Sequence, residues 1–70
     1  MIGPLNVLRV EDVAHGKETV WVYSADSLAQ ALVLISKSGL GEYVIESKQT
    51  GNRRLYAVES GGEVVYVGPV

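Results

Sequence analysis

Hydrophobic and polar residues change rhythm along this chain, and each rhythm predicts a different element. In Leu5–Val13, Leu8 and Val10 lie two apart on one face. In Glu18–Tyr23, Val20 and Val22 alternate with Thr19, Trp21 and Tyr23. A period of two is that of a strand with one buried face. Between the two runs, Ala14-His15-Gly16-Lys17 reads as a turn in which Gly16 supplies permissive backbone. So short a connection predicts a β-hairpin. The period then lengthens. From Ser27 to Lys37, residues Leu28, Ala31, Leu32 and Ile35 fall at i, i+3, i+4 and i+7, one apolar face of a helix. Ser24 or Asp26 is the expected N-cap, and Lys37 and Gly39 suit the C-terminal end. Leu28, Leu32 and Ile35 are expected against the sheet, with Leu28→Ala costing about 2–5 kcal/mol.

Alternation returns in Glu42–Lys48, Arg53–Glu59 and Glu63–Val67, separated by turns at Gln49-Thr50-Gly51-Asn52 and Ser60-Gly61-Gly62. Met1–Pro4 reads as a short lead-in, and Gly68-Pro69 ends the last strand. The predicted fold class is α+β. It is a single domain over residues 1–70 in the order β-β-α-β-β-β, with one antiparallel sheet and one helix packed on one face. Val33 and Leu34 widen the helix's apolar stripe beyond what a flat sheet requires. Either the sheet curls around the helix, or the surplus meets another chain, which makes a homo-oligomeric structural or regulatory protein, a homodimer in the simplest case, the second expectation.

Composition narrows the chemistry. A chain of 70 residues buries only about 60–65% of its unfolded surface, so its stability margin is thin. It has no cysteine, hence no disulfide and no thiolate metal site, and the lone His15 cannot build a zinc site. No metal or cofactor is expected. The net charge of −2, with both signs mixed, suits neither a strongly basic nucleic-acid binder nor a densely acidic DNA mimic. The longest apolar run, Ala31–Ile35, is far too short to span a membrane. A cytoplasmic location, in a bacterial host cell, is the expectation.

No arrangement of residues points to catalysis. Glu11 and Asp12 are neighbours on a strand and so point to opposite faces. Gly39-Leu40-Gly41 follows a helix instead of opening one, and lacks the Lys-Ser/Thr of a phosphate loop. His15 lies in a turn. The chain reads as a binding protein, not an enzyme.

Its candidate binding surface is the sheet face away from the helix. If Val20 and Val22 face the helix, Trp21 and Tyr23 face away. If Leu55 and Ala57 are core, Arg54, Tyr56 and Val58 share the outer face; Val65 and Val67 in the core would leave Val64 and Tyr66 outside. Trp21, Tyr23, Tyr56 and Tyr66 beside Arg54 would make an aromatic-plus-arginine patch, the composition of interface centres. The same rings could instead shield the strands, or stack bases of a single-stranded nucleic acid with Lys48, Arg53 and Arg54 on its phosphates. Few cations and a net acidic chain weigh against the last.

The helix segment Ala25-Asp26-Ser27-Leu28-Ala29-Gln30-Ala31, with Ser36-Lys37 five residues on, resembles the helix of a small phage-encoded anti-CRISPR family that acts on type I-F surveillance complexes. That family also leads from a strand hairpin into an Ala-x-x-Leu-x-Gln-Ala helix with a Ser-Lys end, followed by three strands. The resemblance implies a phage or mobile-element inhibitor that docks on the crRNA-bound backbone subunits of a Cascade-type complex and sterically blocks target DNA. The family's contacts near the helix end map onto Lys37, Leu40 and Tyr43. Its two basic positions after the second Ala, linked there with DNA, are Leu32 and Val33 here, so direct DNA contact is not carried over.

Overall fold

The computed structural model describes residues 3–70; Met1 and Ile2, half of the expected lead-in, lie outside the described residues. The strands are β1 (Leu5–Val13), β2 (Gly16–Ala25), β3 (Gly41–Ser47), β4 (Arg53–Val58) and β5 (Val64–Pro69), with one helix, α1 (Leu28–Ser36), between β2 and β3. All strand pairs are antiparallel, and the sheet runs β2-β1-β3-β4-β5. The α+β reading and the β-β-α-β-β-β order therefore hold. β1 occupies an inner position because α1 carries the chain back over the sheet and sets β3 on the free side of β1.

Two β-bulges shape this sheet. In β2, Tyr23 pairs with Val7 and Trp21 with Leu8, so Val22 is an extra residue opposite β1. In β5, Gly68 pairs with Leu55 and Tyr66 with Tyr56, leaving Val67 extra. An extra residue in an edge strand increases local twist and bends the strand. The bending brings both edges to the helix: α1 touches β1, β2 and β5, although β2 and β5 are opposite edges. Of the two explanations for the wide apolar stripe, the curled sheet accounts for Leu34, which packs against the core. Val33 remains exposed.

The helix is capped by Ser27, not by Ser24 or Asp26. Ser27 is extended (φ −151°, ψ 164°), and its hydroxyl accepts from the Gln30 N–H at 3.1 Å. The Gln30 side-chain oxygen reaches back to the Asp26 N–H at 2.6 Å, so Ser27-x-x-Gln30 works as a capping box displaced by one residue. Lys37 is the C-cap, and Gly39 takes φ +105°, a region that favours glycine. The buried helical residues are Ala31 and Ile35. Leu28 is 39% exposed at the first turn, so its truncation costs less than the full burial value expected from the pattern.

The core unites Val7, Ala25, Ala31, Ile35, Tyr43, Ile45, Tyr56 and Val58, with Leu5, Tyr23, Leu32, Leu34 and Val64 packed around it. Gly3 closes one end. A Cβ built on Gly3 would lie 2.2 Å from the Ala25 carbonyl oxygen, so only glycine lets the backbones approach so closely.

Candidate protein-binding face

Strand pairing divides the side chains between two faces. Asn6, Leu8 and Val10 of β1 point away from the helix, since Val7 between them is core. Their cross-strand neighbours share that face: Trp21 on β2, Val44 and Glu46 on β3, Arg53 and Leu55 on β4. Leu8, Val44 and Leu55 form an aliphatic row across the middle strands. Val44 is only 1% exposed although no helix covers it, and Leu8 is buried as well. Both are shielded by their sheet neighbours. At the edge of this row stands Trp21, 57% exposed.

The indole is not left to swing. Trp21 Nε1 donates to Asn6 Oδ1 at 3.1 Å. Asn6 Nδ2 donates to Glu46 Oε1 at 3.0 Å, and Arg53 Nε donates to Glu46 Oε2 at 2.7 Å. One hydrogen-bonded chain thus crosses four strands, from the edge tryptophan to the arginine of β4. Its donor and acceptor directions agree throughout: Glu46 accepts at both oxygens, and the Asn6 amide accepts from Trp21 while donating to Glu46. The bond from Asn6, and then that from Arg53, hold the Glu46 carboxyl below the usual glutamate range. At the other end of the face Lys17 Nζ lies 3.1 Å from Asp12 and 3.7 Å from Glu42. The hydrogen bond and charge of Asp12 raise the Lys17 pKa. Leu8 and Val44 are already buried, so in this row between the two polar borders the apolar surface open to a partner is that of Trp21 with the half-buried Leu55.

The expected cluster of rings is not on this face. The Val22 bulge puts Tyr23 on the helix side, where its hydroxyl hydrogen-bonds to the Ser38 hydroxyl. Tyr56 is buried in the core, and Leu55 and Ala57, expected as core, lie on the outer face. Val64 packs on the core and Val65 and Val67 are exposed, the reverse of the expected phase of β5. Tyr66 is exposed but sits on the helix side, its ring 5.4 Å from that of Tyr56. Arg54 also lies on the helix side, where it lines an approximately 270 Å³ depression with Leu5, Leu28 and Ile45. Of the expected patch, Trp21 alone stands on the helix-free face.

The residues suggested by resemblance also part company. Leu40 is 64% exposed and Lys37 is exposed, but Tyr43 is 1% exposed. Tyr43 anchors the loop from below: its hydroxyl donates to the Gly39 carbonyl at 3.1 Å, and Arg9 lies over its ring at 5.5 Å. The sequence pattern points to neither Asn6 nor Glu46, and to Arg53 only as a phosphate contact, not as the partner of Glu46. The consecutive apolar run Tyr43-Val44-Ile45 is the signal that could have shown β3 to be covered on both faces.

Among the described residues no helix is long and apolar enough to cross a membrane, and no group of three or more His, Cys, Asp or Glu side chains could hold a metal ion. No protein-family model, no curated protein and no solved structure matches the chain.

Proposed function

We propose that this chain acts by binding another protein through the helix-free face of its sheet, with Trp21 as the anchor. The observation that supports this is the held tryptophan. An exposed indole fixed by Asn6 at the edge of a buried aliphatic row loses little conformational freedom on docking. Tryptophan is also among the residues most enriched at binding hot spots. Single-stranded nucleic acid is the weaker reading, because a stacking platform uses several exposed rings, and Trp21 stands without a tyrosine beside it.

The partner we propose is a type I CRISPR surveillance complex, and the encoding genome that of a phage or mobile element. This step rests on the likeness of the segment Ala25–Ala31 and the Ser36-Lys37 end to the type I-F inhibitor helix, and on the shared order of elements. Inhibition would be stoichiometric and steric, the protein covering a surface that target DNA must reach, with no chemical step.

The test is a pull-down with purified type I effector complexes, paired with a target-DNA binding assay. Retention of the wild-type chain and loss of DNA binding are expected. Trp21→Ala should weaken retention by about 2 kcal/mol or more, the usual hot-spot range. If Leu40→Ala and Lys37→Ala abolish retention while Trp21→Ala does not, the wrong surface has been chosen. Failure to bind any type I complex rejects the partner.

A further inference from the structure

β5 is the free edge of the sheet beyond β4. Natural edge strands are blunted by charge, proline or bulges, and in β5 the Val67 bulge and Pro69 blunt only the end beyond Tyr66. The opposite edge, β2, carries Lys17 and Glu18, but from Val64 to Val70 there is no charged side chain. Val65, Tyr66, Val67 and Val70 are exposed. The backbone groups on this edge can be assigned. The Glu59 N–H donates to the Glu63 carbonyl at 2.8 Å, which makes that pair a hydrogen-bonded one. Bonded and non-bonded pairs alternate along an antiparallel ladder. Ala57 and Val65 are therefore bonded, while the pairs Val58/Val64 and Tyr56/Tyr66 are not. The N–H and C=O groups of Val64 and Tyr66 point outward, away from β4. Beyond the bulge, Val70 N–H donates to the Arg53 carbonyl at 3.3 Å. The same alternation turns the Pro69 nitrogen outward, where an edge strand tolerates proline.

We propose that β5 pairs antiparallel with β5 of a second copy of this chain, about a two-fold axis through Val65. In this register Val64 of each copy faces Tyr66 of the other, and each such pair exchanges both outward backbone hydrogen bonds. A two-fold centred on Val64 or Tyr66 brings together only the central pair. The Gly61-Gly62 turn on one side and the Val67 bulge on the other end the regular edge. The occupant is a second copy because the edge is self-complementary, as a two-fold interface must be. Val65 meets its own counterpart, Tyr66 covers the half-buried Val64 of the other copy, and Glu63 faces Val67, so no like charges are opposed. A net charge of −2 per copy offers little repulsion. The axis stands perpendicular to the sheet, so the two helix-free faces lie on the same side, with each Trp21 at the far edge. The pairing is independent of what that face binds.

The chain has no cysteine, which makes a cross-link decisive. Residues in a non-hydrogen-bonded antiparallel pair have Cα atoms about 4.5 Å apart, within the roughly 4.4–6.8 Å that a disulfide spans. Val65→Cys should give a covalent dimer with oxidised glutathione at micromolar protein, much faster than Val20→Cys on the β2 edge. In light scattering, the wild-type mass should rise from one chain to two between micromolar and millimolar concentration. Val64→Pro removes an outward N–H without breaking the ladder to β4. It should shift that midpoint upward by about tenfold or more relative to Val64→Ala, which also loses the valine's core packing but keeps the outward N–H. A one-chain mass at every concentration, or cross-linking of Val65→Cys no faster than that of Val20→Cys, overturns the proposal.

Discussion

Glu46 shows how one side chain can set the condition of a whole face. It is 19% exposed and receives bonds from Asn6 and Arg53, so its charged form is favoured in the folded state. A carboxyl whose pKa falls on folding contributes stability above the unfolded value. That contribution disappears as pH drops through the folded value. The affected window lies below the ordinary value of 4.5. Wild type should therefore lose melting temperature between neutral pH and about pH 3 more steeply than Glu46→Gln, which has no charge to protonate. Parallel slopes in thermal melts of the two proteins would remove Glu46 from this role. The same chain fixes the tryptophan. Asn6→Ala takes away the acceptor for the indole N–H, and a hydrogen bond of this kind is worth about 1 kcal/mol net. Fluorescence anisotropy should report a looser Trp21 ring in that variant.

At the scale of elements, the order of strands and helix was legible because each rests on local period and on turn residues. The faces were not, and the reason lies in three particular places. Val22 breaks the alternation of β2, so parity counted from Val20 puts Tyr23 on the wrong side. Val67 does the same to β5. In β4 both Leu55/Ala57 and Tyr56/Val58 are apolar, because one row lies under the helix and the other joins the strip beside Val44; alternation cannot rank two apolar rows. The helix repeats the lesson: Leu28 and Ile35 share a face in sequence, but only the second is fully buried. Ile35→Ala should cost about 2–5 kcal/mol. Leu28→Ala, at a 39% exposed position, should cost clearly less. Urea unfolding of both variants decides; equal losses would mean that the first turn is more deeply packed than its exposure indicates.

The whole molecule is a curled sheet with an apolar layer on each side, and this division separates the layer under the helix from the face proposed to bind. The site was only partly legible for that reason. Trp21 could be picked out as exposed, whereas Tyr56 looked equivalent and is core. Tyr43 and Tyr56 supply a large part of the buried volume under α1. A domain of 70 residues has a total stability of about 4–10 kcal/mol, taking 0.05–0.15 kcal/mol per residue. Truncating a large buried aromatic costs about 3–5 kcal/mol, so Tyr56→Ala should remove much of that margin. Trp21→Ala leaves the layer under the helix untouched and exposes more of Leu8, a small loss on the outer face. The pair should behave oppositely: Trp21→Ala folded with near-wild-type amide NMR dispersion, Tyr56→Ala largely collapsed in dispersion or melting at much lower temperature. Binding lost by Trp21→Ala is then loss of contact, whereas binding lost by Tyr56→Ala is loss of fold. If Tyr56→Ala kept its dispersion and melting temperature, the tyrosine would not be holding the helix to the sheet. If Trp21→Ala unfolded, the helix-free strip would be a second core in need of its tryptophan, and the ring could no longer be read as an anchor for a partner.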